Sequence, residues 1–208
     1  MDALKPRLRI PSLRAALLRL HADLFQINTF VPSEIWYSIG PLTLLEKLTI
    51  VLEDRRFLRH NGIDVKSCIR EVVRALTFRR HGGASTIDMQ FVRTATGYRD
   101  KHLRRKLYEM LLAVLLQFRY SKIIILRSYL AHAFFGSGLI GASRASTRLF
   151  GKAAEELNIQ EASLLAAMLV YPRPLRPSTG WELKVKRRAE YGQRIYARTE
   201  KRLEKLPR

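Results

Sequence analysis

Apolar residues recur every three or four positions along most of the chain from Pro41 onward, and no run alternates as a half-buried strand would. The spacing predicts a helix over 44–52, with Thr43 as N-cap and Glu46 three residues on to complete a capping box. A second is predicted over 65–79, with Val65, Ile69, Val72, Val73 and Leu76 on one face. The sequence His81-Gly82-Gly83-Ala84 interrupts it, and Ser85 opens a further helical stretch. The segment 103–119 reads as helix, charged in its first half and apolar on all sides from Met110, as in a helix driven through a core. Gly136, Gly138 and Gly141 mark a flexible or tightly packed passage. Helix returns over 155–169, ended by the series Pro172, Pro174, Pro177, and the tail 184–208 is a strongly basic helix. Ahead of Pro41, residues 12–27 are amphipathic, with Leu13, Ala16, Leu17, Leu20, Leu24 and Ile27 sharing a face. The pattern predicts a mainly α protein. Neither an internal repeat nor a low-complexity linker divides it, so one domain is expected over 31–180, preceded by a basic amphipathic segment (1–30) and followed by a basic helix (181–208).

Charge changes this ordinary picture. Lys and Arg number 38 against 18 Asp and Glu, a formal +20, which points to a polyanionic partner: nucleic acid, an anionic membrane or a phosphorylated substrate. No segment offers the about 20 apolar residues that a membrane-spanning helix needs. The apolar run 110–118 is too short, and 128–143 is interrupted by glycines, serines and His132. Arg14, Arg19 and Asp23 break up any secretory-type apolar core behind Lys5, Arg7 and Arg9. The 12–27 face, flanked by Arg14 and Arg19, could lie on an anionic membrane or pack on the domain. Cys68, the single cysteine, has no internal partner, and its apolar neighbours suit a small buried side chain.

Four local patterns carry candidate chemistry. In the first, Glu53-Asp54 precedes Phe57, His60 and the Asn61-Gly62 turn; a carboxylate at a helix end is ordinarily solvated or salt-bridged, and a catalytic base is the alternative. In the second, Gly82-Gly83 leads into Ser85-Thr86-Ile87-Asp88-Met89-Gln90. Free backbone N–H groups and two hydroxyls at a helix start suit a phosphate or sugar oxygen, and plain N-capping suits them equally. In the third, Arg105 and Glu109 lie one helical turn apart and could pair on a surface, yet Leu112 and Leu116 continue the face of Glu109, as in a helix opening into a polar cleft. Arg93 and Lys101 add cations nearby. The fourth, the glycine passage ending Leu149-Phe150-Gly151-Lys152, by itself means a turn or close packing.

Together these patterns resemble the peptidoglycan glycosyltransferases, glycosyltransferase family 51, known as monofunctional transglycosylases and as the N-terminal domain of bifunctional penicillin-binding proteins. The first family motif, E-D-x-x-F-x-x-H-x-G, runs from Glu53 to Gly62. The relaxed second, G-x-S-T-I-x-x-Q, runs from Gly83 to Gln90, and R-K-x-x-E from Arg105 to Glu109. Tyr129-Leu130, Phe135-Gly136, Gly141, Phe150-Gly151-Lys152 and the stretch 162–169 leading to Pro172 also recur, so the likeness covers residues 30–180.

The resemblance implies a lysozyme-like helical fold with a catalytic cleft, and a lipid-linked disaccharide pyrophosphate, lipid II, as substrate. It implies Glu53 as catalytic base and Glu109 as second carboxylate, with a divalent cation (magnesium or manganese) at Glu109 and no organic cofactor. Phe57, Arg70, Ser85, Thr86, Gln90, Arg93, Lys101, Arg105 and Lys106 are the implied substrate-binding residues. The growing glycan strand, an anionic membrane surface and other cell-wall synthesis proteins are the implied partners. The implied location is the outer face of the bacterial cytoplasmic membrane, peripheral unless an anchor is missing from this chain. Arg93 stands where the family usually has lysine, Asp88 where it has Thr or Ser, and Met89 for the first of paired glutamines; Arg127 and Ala131 replace an acid and an amide. Asp88, Arg127 and Ala131 motivate the alternative of a member that binds lipid II or glycan without polymerising it. A basic nucleic-acid-binding protein would explain the charge but not the three motifs, and lytic cleavage of finished glycan would leave the cations without a pyrophosphate to bind.

Overall fold

Local capping chemistry sets many of the helix boundaries in the computed structural model, which describes residues 12–36, 40–77, 85–98 and 102–203. Lys5, Arg7, Arg9, the Gly82-Gly83 lead-in, Lys101, the last residues of the 65–79 prediction and the end of the tail lie outside the described residues. Helix α1 spans Leu13–Thr29, with the Ser12 hydroxyl accepting from the Ala15 N–H. The short α2, Ser33–Trp36, leads to α3, Leu44–Glu53, where the capping box forms as expected: Thr43 accepts from the Glu46 N–H, and Glu46 accepts in return from the Thr43 N–H. Helix α4 (Val65–Leu76) follows, then α5 (Ile87–Thr96), N-capped by Thr86 and closed by Gly97 at φ 69°. Helices α6 (Leu103–Leu116) and α7 (Lys122–His132) come next. Helix α8 (Ala142–Phe150), α9 (Ile159–Met168) and the long α10 (Thr179–Leu203) complete the chain.

Helix α9 is the hub. Its Ala162, Ala166 and Ala167 are fully buried, so α3 and α10 approach it closely, while α5 packs against α1, α6 and α7. Leu48, Phe57, Phe91, Leu112, Ile125 and Phe135 are sealed in this core, each contributing about 1.5–3 kcal/mol from burial. Helix α1 joins the core through Ile27. One turn earlier, its buried Asp23 accepts hydrogen bonds from the hydroxyls of Tyr98 and of Tyr108 on α6, both at 2.8 Å to Oδ2.

Several elements depart from the sequence prediction. The glycine passage is a small antiparallel hairpin, β1 (Phe134–Gly136) and β2 (Leu139–Ile140), too short for any alternating pattern to register. Here the backbone of the proline-rich segment comes close: Arg173 donates to the Phe135 carbonyl at 2.8 Å, and a side chain at Gly136 (φ 147°) would lie 2.3 Å from the Arg173 oxygen. Helices α7 and α8, unassigned from the pattern, are both formed; α7 buries Ile125, Leu126, Tyr129 and Leu130 and is apolar on several sides. The 155–169 prediction starts too early, because Asn158 and Glu161 build a capping box that opens α9 at Ile159, after a single 3₁₀ turn. The face of α4 read as apolar is exposed at Val65, Ile69 and Val73, and Cys68 is half-buried rather than enclosed. Helix α6 likewise runs along the surface of the core, not through it: Glu109, Leu112, Ala113 and Leu116 are buried, whereas Leu103, Leu107 and Leu111 are exposed. The apolar face of α1 divides too, with Ile27 buried and Leu13 and Leu17 exposed at 77% and 56%.

Candidate active site

The C-terminus of α3, the N-terminus of α5 and the middle of α10 converge on Glu53. Its Oε1 accepts from Arg188 Nη2 at 2.7 Å and its Oε2 from Gln90 Nε2 at 3.2 Å. Gln90 is itself fixed, its carbonyl accepting from the Tyr129 hydroxyl at 2.7 Å. Burial, and then the charge of Glu53, raise the Tyr129 phenol far above its ordinary range, with Arg93 pulling the other way; Tyr129 stays a neutral hydrogen-bond donor.

Glu53 opens onto a cleft of about 560 Å³ lined also by Arg55, Arg56, Arg70, Arg74 and Arg188. Of the residues expected to bind substrate, Arg70, Ser85 and Thr86 line this cleft. The Thr86 hydroxyl is already committed: it donates to the Gly62 carbonyl at 2.6 Å and accepts from the Met89 N–H at 3.2 Å, so its role is to seat α5 on the first-motif loop. Asp64 lines the cleft as well. Burial opposes its ionisation, but hydrogen bonds from the Ser67 side chain and backbone, with the charge of Arg56, outweigh it and hold the carboxyl below its usual range.

One turn along α5 from Gln90, Arg93 donates to both oxygens of Glu109, through Nε at 3.2 Å and Nη2 at 3.1 Å. Arg105 donates to Glu109 as well. Glu109 is fully buried, while Arg93 keeps 39% of its side chain exposed and Arg105 18%. Lys106, next to Arg105 along α6, is half-buried. A divalent cation does not fit Glu109 in this arrangement, since two guanidiniums already occupy its oxygens and would repel the ion. Asp54, His60 and Asp88 do bring ligand atoms within 4.8 Å of one another, but other partners take that space. The Lys122 ammonium sits on both Asp88 oxygens at 2.8 and 3.0 Å, and Asp54 Oδ2 accepts from the Ile87 N–H at 3.2 Å and lies 2.9 Å from His60 Nε2.

Phe57 does not line the cleft. It is wholly buried, with the Lys122 ammonium 4.6 Å from its ring centroid, and offers a substrate no surface. Its ring packs edge-on against His60 of the buried Asp54–His60–Asp88 cluster. Asp88 does not face a phosphate either: Lys122 neutralises it, and Gln117 donates to it. The arginine that replaces the family's acid at position 127 pairs with Glu46 at 2.7 Å, tying α7 to the first turn of α3.

The chain matches the family model described as Transglycosylase over residues 38–195. It belongs to that family. Penicillin-binding protein 2a of Streptococcus pneumoniae is 37% identical over 144 residues, 69% of this chain and 19% of that protein. Penicillin-binding protein 1A of Rickettsia felis is 34% identical over 171 residues, 80% of this chain and 21% of its own length. Penicillin-binding protein 1F of Bacillus subtilis is 38% identical over 131 residues, 62% of this chain and 18% of its own length. The chain thus spans about a fifth of the length of the curated relatives it matches. Membership in the transglycosylase family accords with the mostly helical fold described above.

The sequence pattern did not point to Arg188 and Tyr191, which line the cleft from α10. A signal was present: Val185, Ala189 and Tyr196 are buried along the face that also carries Arg188. The density of positive charge in the tail concealed that apolar stripe.

Proposed function

We propose that the chain polymerises lipid II at a membrane surface, joining disaccharides by β-1,4 bonds and releasing the lipid pyrophosphate. The observation that carries this reading is the pair of carboxylates served by one face of α5: Gln90 holds Glu53, and Arg93, three residues on, holds Glu109. In the proposed step Glu53 takes the proton of the attacking 4-hydroxyl while that oxygen bonds to the anomeric carbon from the side opposite the pyrophosphate. The carbon–oxygen bond to pyrophosphate breaks with inversion. Arg93, Arg105 and Lys106 supply positive charge for the departing group, with Glu109 holding the two guanidiniums in register. The neutralisation of Asp88 by Lys122 favours catalysis over the non-polymerising alternative, because no uncompensated negative charge is left beside the phosphates.

Among the described residues no helix is long and apolar enough to cross a membrane. Association through a surface is supported by the formal +20 charge and by the exposed Leu13, Leu17 and Leu18 on α1 and Leu103, Leu107 and Leu111 on α6. The test is polymerisation of purified lipid II. Wild-type chain is expected to make glycan strands, and Glu53→Gln to lose about 10²- to 10⁴-fold in rate. Lipid II binding by wild type without any product would instead establish the non-polymerising reading.

A further inference from the structure

Arg188 is used in an unusual way for a guanidinium facing a carboxylate. It meets Glu53 through one nitrogen: Nη2 donates to Glu53 Oε1 at 2.7 Å and to the Leu52 carbonyl at 3.1 Å. Its Nε–H is buried and has no acceptor. The Nε/Nη edge, which binds carboxylates and phosphates side-on through two parallel hydrogen bonds, is therefore only half used. A buried donor without an acceptor is costly, and an incoming anion would relieve that cost. The surroundings favour an anion, since five arginines and three carboxylates line the cleft. One of those arginines, Arg55, is braced against Tyr191, one turn beyond Arg188 on α10.

We propose that Arg188 is a substrate-operated latch on Glu53, a phosphate oxygen in the arginine-lined cleft taking the Arg188 edge and drawing it off the carboxylate. Resting on the reading of Glu53 as the base, this makes α10 part of the reaction: Arg188 holds Glu53 in place while the cleft is empty and releases one of its oxygens when a phosphate-bearing acceptor enters. Glu53 and the phosphate then compete for one guanidinium, and competition is reciprocal: removing the charge of Glu53 must strengthen phosphate binding at Arg188.

The experiment uses the full chain and inorganic pyrophosphate. The Nε–H resonance of Arg188, assigned by its loss in Arg188→Lys, is titrated with pyrophosphate in wild type and in Glu53→Gln, with circular dichroism confirming that all three are folded. The latch requires a saturable shift of that resonance, with an apparent Kd at least about fivefold lower in Glu53→Gln. A resonance that does not move, or one that moves with the same Kd in both proteins, overturns the proposal and leaves Arg188 as a staple between α10 and α3. Because the readout is binding, a wild type that makes no glycan would sink the polymerase reading without deciding this one. If polymerisation is found, Arg188→Lys is expected to lower kcat/KM about tenfold or more, because the lost edge both holds Glu53 and receives the phosphate.

Discussion

Asp88 and Lys122 show what a single departure from a family pattern demands of its surroundings. Burial pushes the Asp88 carboxyl up and the Lys122 ammonium down, and their mutual attraction at 2.8 Å opposes both shifts. Removing one partner strands the other charge. Asp88→Asn is expected to cost about 3–5 kcal/mol in urea unfolding, and Asp88→Asn with Lys122→Met much less than the sum of the two single changes. The lowered pKa of Asp64 has its own signature. A carboxyl held below its unfolded value of 3.8 adds stability above that pH, and the contribution disappears as pH falls through the folded value. Ser67→Ala removes a hydrogen bond from the carboxylate, so its acid-unfolding midpoint, followed by circular dichroism, should move to higher pH. At this scale the sequence was legible wherever partners are close along the chain. The Thr43–Glu46 box and the Arg105–Glu109 pair both form. The contacts Arg93 makes with Glu109 and Arg188 with Glu53 cross 16 and 135 positions, and no local spacing announces them.

Among the elements, the first-motif loop depends on α6 as much as on α3. Gly62 at φ 85° lets the loop lie on the α6 backbone, where a Cβ would come 2.5 Å from the Ala113 carbonyl. The Gly62→Ala change adds left-handed strain to a backbone clash and is expected to cost about 3 kcal/mol, lowering Tm by about 10 °C. Helices with one dominant apolar face and a clear cap, such as α3, were readable from the sequence. Helix α7 has apolar residues on several sides and no single face to detect. The α4 case is the reverse: its periodicity was real, but period alone does not say whether an apolar face meets protein or solvent, and Val65, Ile69 and Val73 are exposed.

Over the whole molecule, the charge surplus and the exposed leucines make a joint prediction. Sedimentation with vesicles should show binding to phosphatidylglycerol-rich membranes that weakens steeply with salt, while neutral phosphatidylcholine vesicles retain little of the chain. Leu13→Glu with Leu17→Glu should reduce binding to the anionic vesicles by about tenfold or more without altering the fold, since both side chains are already exposed. The helical class and the family motifs were legible from residues alone, whereas the assignment of the C-terminal segment to the cleft was not. Helix α10 reaches Glu53 only because the proline-rich segment turns the chain back along α9 and α3.

The buried carboxylate of α1 has a mechanical consequence. Tyr98 grips Asp23 with its hydroxyl, and its carbonyl oxygen accepts from Arg105 at 3.4 Å, the same arginine that clasps Glu109. One tyrosine thereby joins the helix whose leading turns project leucines outward to the cationic group expected to receive the leaving phosphate. Tyr108, on the same helix as Glu109, also bonds Asp23, so two hydroxyls couple α1 to that helix. If α1 seats on a lipid surface as proposed, its depth there would bear on the Arg105–Glu109 cluster.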